Sequence, residues 1–269
     1  MDVPDVAHPI CCIEEAVIYL PQPQRLMADS NPVTIASGSG VYHPSSQVGN
    51  AMHEGVGSRE YFEQLYASRT WEYYRPILAH IMANSAPGPI LDLGAGTGLL
   101  VEAATRWGLD CQGIDGSREA VEMGQKRFPG LRLSQQYLSE RLQFSDESFQ
   151  TVLLHQVVAH LEPEVARNVL AEASRIMRRG ARLFIFSPGR FNAAVRRDNP
   201  ACVAWVKMYT PSEMRSLVMA AGFENVVHLD APRELLGRSI VARAAMRAAL
   251  RLTRWDWLSA TANCQASKP

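Results

Sequence analysis

Apolar positions fall into two alternating patterns after about residue 90: short continuous runs, and stripes repeating every three or four residues. The runs at 90–93, 110–114, 151–155 and 181–187 suit strands buried on both faces, which lose the in–out alternation of a half-solvated strand. The stripes at 99–107, 117–128, 163–178 and from Pro211 onward suit helices. Punctuation agrees with this division. Pro129 and Gly130 stop the second helix ahead of a short strand at 131–134, and Arg178-Arg179-Gly180 forms the C-terminal end of the third. Pro211 takes the favoured first helical position after Thr210, with Glu213 in the first turn and Gly222 past the end. Runs at 224–229 and 261–267 supply the last two strands. Alternating strand and helix calls for a parallel sheet covered on both faces.

The pattern divides the chain. Residues 1–58 carry many of the prolines and the loop-forming Ser37-Gly-Ser-Gly40, and are expected to be an N-terminal extension, loosely ordered or lid-like. From 59 to 82 the apolar spacing becomes helical, opening a main domain at 59–269. Within it, 230–258 reads as a helical insertion. Arg243, Arg247 and Arg251 share one helix face there and Trp255 and Trp257 follow, so 243–257 could make peripheral membrane contact or simply be a solvated arginine face.

Composition narrows the class. The chain has 269 residues, 47% of them hydrophobic, and a formal net charge of zero, so it can bury a full core and no global field favours nucleic acid. Its five cysteines lack C-x-x-C spacing, and no carboxylate and His cluster has metal-ligand spacing; reduced thiols and no metal are expected. With no basic-plus-apolar opening and no apolar run near the ~20 residues of a membrane span, a cytoplasmic protein without stable membrane insertion is the expectation. Oligomeric state is not legible.

The chemistry concentrates at 90–100, ILDLGAGTGLL. A buried strand containing one acid, Asp92, runs into Gly94, Gly96 and Gly98, and a helix follows. Such a turn brings backbone close to a ligand with no Cβ in the way. The spacing is G-x-G-x-G, not the G-x-G-x-x-G that seats a pyrophosphate on a helix N-terminus. Asp115 stands at the tip of the second strand, 21 positions beyond Gly94. A carboxylate there can accept from both ribose hydroxyls of an adenosyl ligand, whether NAD or S-adenosylmethionine. The alternative is that Asp115 caps the helix starting near Ser117.

With further ordered motifs, the chain resembles the class I S-adenosylmethionine-dependent methyltransferases of the small-molecule type, which includes ubiquinone-pathway, sugar and natural-product enzymes. The glycine turn resembles their first motif and GIDGS at 113–117 their second. The segment QFSDESFQTVLLHQVVAHL at 143–161 is similar to the approach to the fourth strand. EASRIMRRGARLFIF at 172–186, YTPSEM at 209–214 and AAGF at 220–223 match later elements. The resemblance implies a Rossmann-like seven-stranded, mostly parallel sheet with helices on both faces and the last strand antiparallel. It also implies S-adenosylmethionine as cofactor, held by Asp92, Gly94, Ala95, Gly96, Gly98, Asp115, Gly116, Tyr137, Leu138 and His155, with Tyr66 near the methionine carboxylate. The chain departs from the family where an acid usually faces the adenine amine: Gln136-Tyr-Leu-Ser-Glu140 stands there. Gln150 and Ala159 also replace acids.

The expected reaction is displacement at a sulfonium methyl, which asks mainly for alignment and exclusion of water. A base is needed only for an acceptor that is protonated at neutral pH. His155 ends the fourth strand, where open α/β sheets present residues to the ligand crevice, and His160 lies five residues on. Both are candidate catalytic residues. The acceptor is expected to be a small molecule or a lipid- or glycan-linked one. Arg190, Arg196, Arg197 and Lys207 could hold a phosphate or carboxylate on it, or form a solvated loop. A nicotinamide-dependent oxidoreductase and a non-catalytic adenosyl-binding protein remain as alternatives.

Overall fold

The computed structural model describes residues 59, 62, 63, 70–190, 205–229 and 261–269. Seven strands form one sheet: β1 (Ile90–Leu93), β2 (Cys111–Asp115), β3 (Leu133–Gln135), β4 (Phe149–His155), β5 (Met177–Phe186), β6 (Glu224–His228) and β7 (Cys264–Ser267). Their order across the sheet is β3-β2-β1-β4-β5-β7-β6. Strands β1 to β5 pair in parallel, while β7 runs antiparallel to both β5 and β6. This is the mostly parallel Rossmann-like sheet with an antiparallel last strand that the resemblance implied.

Among the described residues, five complete α-helices accompany the strands: α1 (Arg75–Asn84), ahead of β1, then α2 (Leu99–Arg106), α3 (Arg118–Arg127), α4 (Pro163–Ile176) and α5 (Pro211–Ala220). They cover both faces. One core cluster gathers Ile77, Leu78 and Ile81 of α1, Leu100 of α2 and Val121 of α3 against Leu153, Phe184 and Phe186. The other gathers Val169, Leu170 and Ala173 of α4 and Met214 and Val218 of α5 against Leu91, Val152, Leu183 and Ile185. Successive residues of β4 and β5 thus point to opposite clusters, which is why those strands read as unbroken apolar runs.

Local chemistry explains the helix ends. Ser117 caps α3 by accepting from the Ala120 amide, and Thr210 and Glu213 form a reciprocal capping box on α5 behind Pro211. One end differs from the sequence pattern. The helix expected to reach Arg178 stops at Ile176, and Met177 already belongs to β5, paired with Phe149. The reason is tertiary: the Met177 side chain is fully buried and its carbonyl accepts from Lys268 Nζ, which holds the chain extended. A second clamp fixes the approach to β4. Arg175 pairs with Glu172 and Asp146 and donates to the carbonyls of Leu142 and Phe144.

Of the helical spacing at 59–82, the described stretch from Trp71 onward is a 3-10 turn at Trp71–Tyr74 leading into α1. The extension at 1–58, the insertion at 230–258 with its arginine face, Tyr66, Arg196 and Arg197 lie outside the described residues. No helix among the described residues is long and apolar enough to cross a membrane.

Candidate functional site

The C-terminal edges of β1, β2 and β4 meet around the glycine turn. Gly94, Gly96 and Gly98 all adopt left-handed backbone, with φ of 76°, 56° and 72°. That conformation costs an L-residue with a side chain ~1–2 kcal/mol. The loop is tied down by its own amides. Gly94 and Ala95 both donate to the Ile114 carbonyl, Gly98 donates to the Ala95 carbonyl, and the Gly96 amide donates to Asp115 Oδ2 at 2.7 Å. The amides of Gly94, Ala95, Gly96 and Gly98 are therefore spent on the loop's own shape and on β2. A loop that cradles a pyrophosphate keeps its amides pointing at the ligand; this one does not.

Space around the glycines is taken largely by protein. A Cβ on Gly94 would lie 2.5 Å from Val157 Cγ2, and one on Gly98 2.5 Å from Leu131 Cδ2. Gly113, quoted within the second motif but given no role from sequence, serves the same end: a Cβ there would meet that of Ala95 at 2.6 Å. These three glycines permit the turn after β4, the residues before β3 and the glycine loop to close on one another.

Two carboxylates occupy the centre. Asp115 is 7% exposed and accepts from Gly96 through Oδ2 and from the Ser117 amide through Oδ1 at 2.8 Å. Burial raises its pKa, and the two amide bonds oppose the rise. The helix cap is Ser117, so the alternative assignment of Asp115 as the cap is incorrect; its carboxylate ties the glycine loop to the turn after β2. With one bond at each oxygen, lone pairs remain for further donors. Asp92 is 2% exposed, and its Oδ1 has no hydrogen-bond partner among the described residues. Burial first, and the neighbouring Asp115 second, push its carboxyl up to about 8. A buried carboxyl with an empty acceptor position suits a ligand that brings a hydrogen-bond donor or positive charge.

The flanking residues sort unevenly. Gly116 and Tyr137 are linked by Gln135, whose amide donates to the Gly116 carbonyl and the Tyr137 hydroxyl. Gln135 was not singled out from sequence, because its role depends on β3 lying beside β2. With Arg118 and Gln136, Gln135 and Tyr137 line a cleft of about 280 Å³ next to the Asp115 turn. Leu138 packs partly buried against the α4–α5 core.

His155 and His160 are set apart by the turn after β4. The His155 ring sits edge-on to Tyr74 at 5.4 Å and Tyr73 at 6.3 Å, with Phe186 at 6.2 Å. The next residue, Gln156, has a left-handed φ of 63° and donates its amide to the Phe186 carbonyl. Val157 then returns over Gly94. His160 ends the short 3-10 turn Val158–His160, its amide donating to the Val157 carbonyl. Sequence reasoning did not place Tyr73 beside His155, nor the unusual backbone of Gln156.

Comparison with known proteins agrees with this geometry. Residues 91–185 match a protein-family model described as "Methyltransferase domain". A probable S-adenosylmethionine-dependent methyltransferase of Mycobacterium tuberculosis is 26% identical over 137 residues, covering 51% of this chain and 49% of the relative. A ubiquinone biosynthesis O-methyltransferase of Azorhizobium caulinodans is 29% identical over 156 residues, covering 50% of this chain and 58% of the relative. The chain thus spans about half the length of the curated relatives it matches. In fold, it superposes on a crystal structure of a methyltransferase from Archaeoglobus fulgidus with a TM-score of 0.59 at 16% identity, over 77% of this chain and 98% of that one. Residues 91–185 thus carry a methyltransferase domain, and over about half its length the chain is similar to S-adenosylmethionine-dependent methyltransferases, whose fold it shares.

Proposed function

We propose that this chain transfers a methyl group from S-adenosylmethionine to a small-molecule or lipid- or glycan-linked acceptor by direct displacement. The observation that carries the reading is the glycine loop whose four amides at Gly94, Ala95, Gly96 and Gly98 are spent on protein acceptors, beside two buried carboxylates. Recognition then falls on acceptor oxygens, which suits ribose hydroxyls and an ammonium better than a pyrophosphate. The nicotinamide-dependent alternative loses its main support for the same reason.

The residues fit the cofactor. Asp115 would receive the ribose hydroxyls, Asp92 a donor from the amino-acid end, and Gly116, Tyr137 and Leu138 would border the adenosyl moiety. Ala95 and Gly96 would border the cofactor through their backbone, while Gly94 and Gly98 let the loop close against Val157 and Leu131. When bound, S-adenosylmethionine supplies a methyl on a positive sulfur, which keeps the bonding electron pair as the acceptor's new bond forms. The chain's own contribution is alignment and exclusion of water. His155 stands at the end of β4, held by an aromatic wall, where it would take the proton of a hydroxyl acceptor. His160 fits a structural role at the turn.

Calorimetric titration with S-adenosylmethionine, its demethylated product and NAD tests the cofactor. Binding of NAD in preference to the other two would overturn the reading. Turnover with a panel of hydroxyl and amine acceptors tests the activity, and tight binding without turnover of any acceptor would favour a non-catalytic adenosyl-binding protein.

A further inference from the structure

A second cleft lies away from the glycine loop, where the starts of α4 and α5 approach each other. It encloses about 330 Å³ and is lined by Pro163 and Arg167 from α4, Lys207 and Tyr209 from the segment before α5, and Glu213 and Ser216 from α5. The Val206 and Lys207 amides both donate to the Ala159 carbonyl, which fastens this wall to the turn that follows His155.

Three features of the cleft are unspent. Tyr209 is 2% exposed, yet its hydroxyl has no hydrogen-bond partner among the described residues. Burial first, and the Glu213 carboxylate second, raise the pKa of the phenol, and Arg167 opposes the rise. Arg167 forms no ion pair with any described residue, and its planar guanidinium presents several donors. Lys207 is only partly engaged: its Nζ is 3.7 Å from Glu213 Oε1 and 4.8 Å from the centre of the Tyr209 ring. The acid is more committed than the cations. Glu213 Oε2 accepts from the Thr210 amide in the capping box. A buried phenol and a guanidinium without partners among the described residues, beside a half-engaged ammonium, match the donor set of an oxyanion.

We propose that this cleft is a subsite for the phosphate or carboxylate group of a small molecule, with Arg167 and Lys207 supplying charge and the Tyr209 hydroxyl a directed hydrogen bond. Its volume exceeds a bare phosphate, so the group belongs to a larger molecule. Two sources share this chemistry: an anionic end of the methyl acceptor, or a separate small anion that binds beside the active face. The first rests on the methyltransferase reading above, and the binding itself does not.

The test uses the full chain and two probes, inorganic phosphate and phenyl phosphate, titrated by calorimetry without cofactor. Saturable binding of phenyl phosphate is expected, weakened about tenfold in Arg167→Gln, the scale of one lost charge-assisted hydrogen bond. Tyr209→Phe keeps the buried ring and should weaken it severalfold. Both variants should bind S-adenosylmethionine as the unaltered chain does, which shows that they are folded. Absence of saturable binding of both probes, or unchanged affinity in folded Arg167→Gln, overturns the subsite whatever the outcome for methyl transfer. Kinetics then separate the sources. A KM raised by Arg167→Gln for phosphate-bearing acceptors alone supports an acceptor's own anion, and turnover of phosphate-free acceptors that responds to added phosphate supports a separate ligand.

Discussion

The amide of Gly96 donates to Asp115 Oδ2, so the middle of the glycine turn and the tip of the second strand are held together by one 2.7 Å bond. The other oxygen of the same carboxylate takes the Ser117 amide. Asp115 is thus a brace before it is a ligand, which shapes what its removal does.

Asp115→Ala is expected to weaken S-adenosylmethionine binding ~10–150-fold, from loss of charge-assisted bonds worth about 1.5–3 kcal/mol. It should also lower stability, because the Gly96 and Ser117 amides lose their acceptor. Calorimetry on the folded variant and a denaturant titration read the two effects apart. A twofold or smaller change in affinity would leave only the brace.

Asp92 makes stability depend on pH in an unusual direction. Its folded carboxyl is pushed up to about 8, against about 3.9 in an unfolded chain, so the native state holds the proton more tightly. That contribution is complete below about pH 4 and is lost as pH rises through about 8, at no more than about 1.4 kcal/mol per unit. Asp92→Asn cannot ionise and is expected to gain on the unaltered chain as pH increases. Urea unfolding at pH 6 and pH 8.5 measures the gap; parallel stabilities would refute it. Cofactor binding near pH 7 should also release protons in the unaltered chain and fewer in Asp92→Asn.

Gly94 and Val157 are predicted to be coupled. Gly94→Ala places a methyl 2.5 Å from Val157 Cγ2 and also strains a φ of 76°. Val157→Ala should recover the steric part and leave the backbone part, giving a coupling of roughly 0.5–3 kcal/mol in a double-mutant cycle. Additive losses would mean that the two loops adjust independently.

The two histidines are expected to fail differently. His155→Ala should lower turnover of a hydroxyl acceptor ~10²–10⁴-fold with little change in cofactor affinity. A loss below tenfold would leave alignment alone. His160→Ala should register mainly in thermal stability. Equal, large losses of cofactor binding in both would put this turn in the cofactor pocket.

Periodicity was enough for the strand–helix alternation, because a parallel sheet buried on both faces requires apolar runs, and Ser117 and Thr210 mark the starts of α3 and α5 with their own caps. The position of β1, the glycine turn after it and the acid at the tip of β2 followed from local rules. What Asp115 does was not local. Its two partners are 19 and two residues away, and they meet only because β1 and β2 pair in register. The same holds for Met177, drawn into β5 by burial and by Lys268, 91 positions on, against a helical pattern that ran past it. His155 was legible as a strand-end histidine, but its wall comes from two other elements, the 3-10 turn with Tyr73 and Tyr74 and β5 with Phe186. The cleft holding Arg167 and the Tyr209 hydroxyl is invisible in sequence for the same reason. Spacing records what one element needs for itself, whereas a site is made where several elements stop, and only the packing of the sheet decides which ends meet.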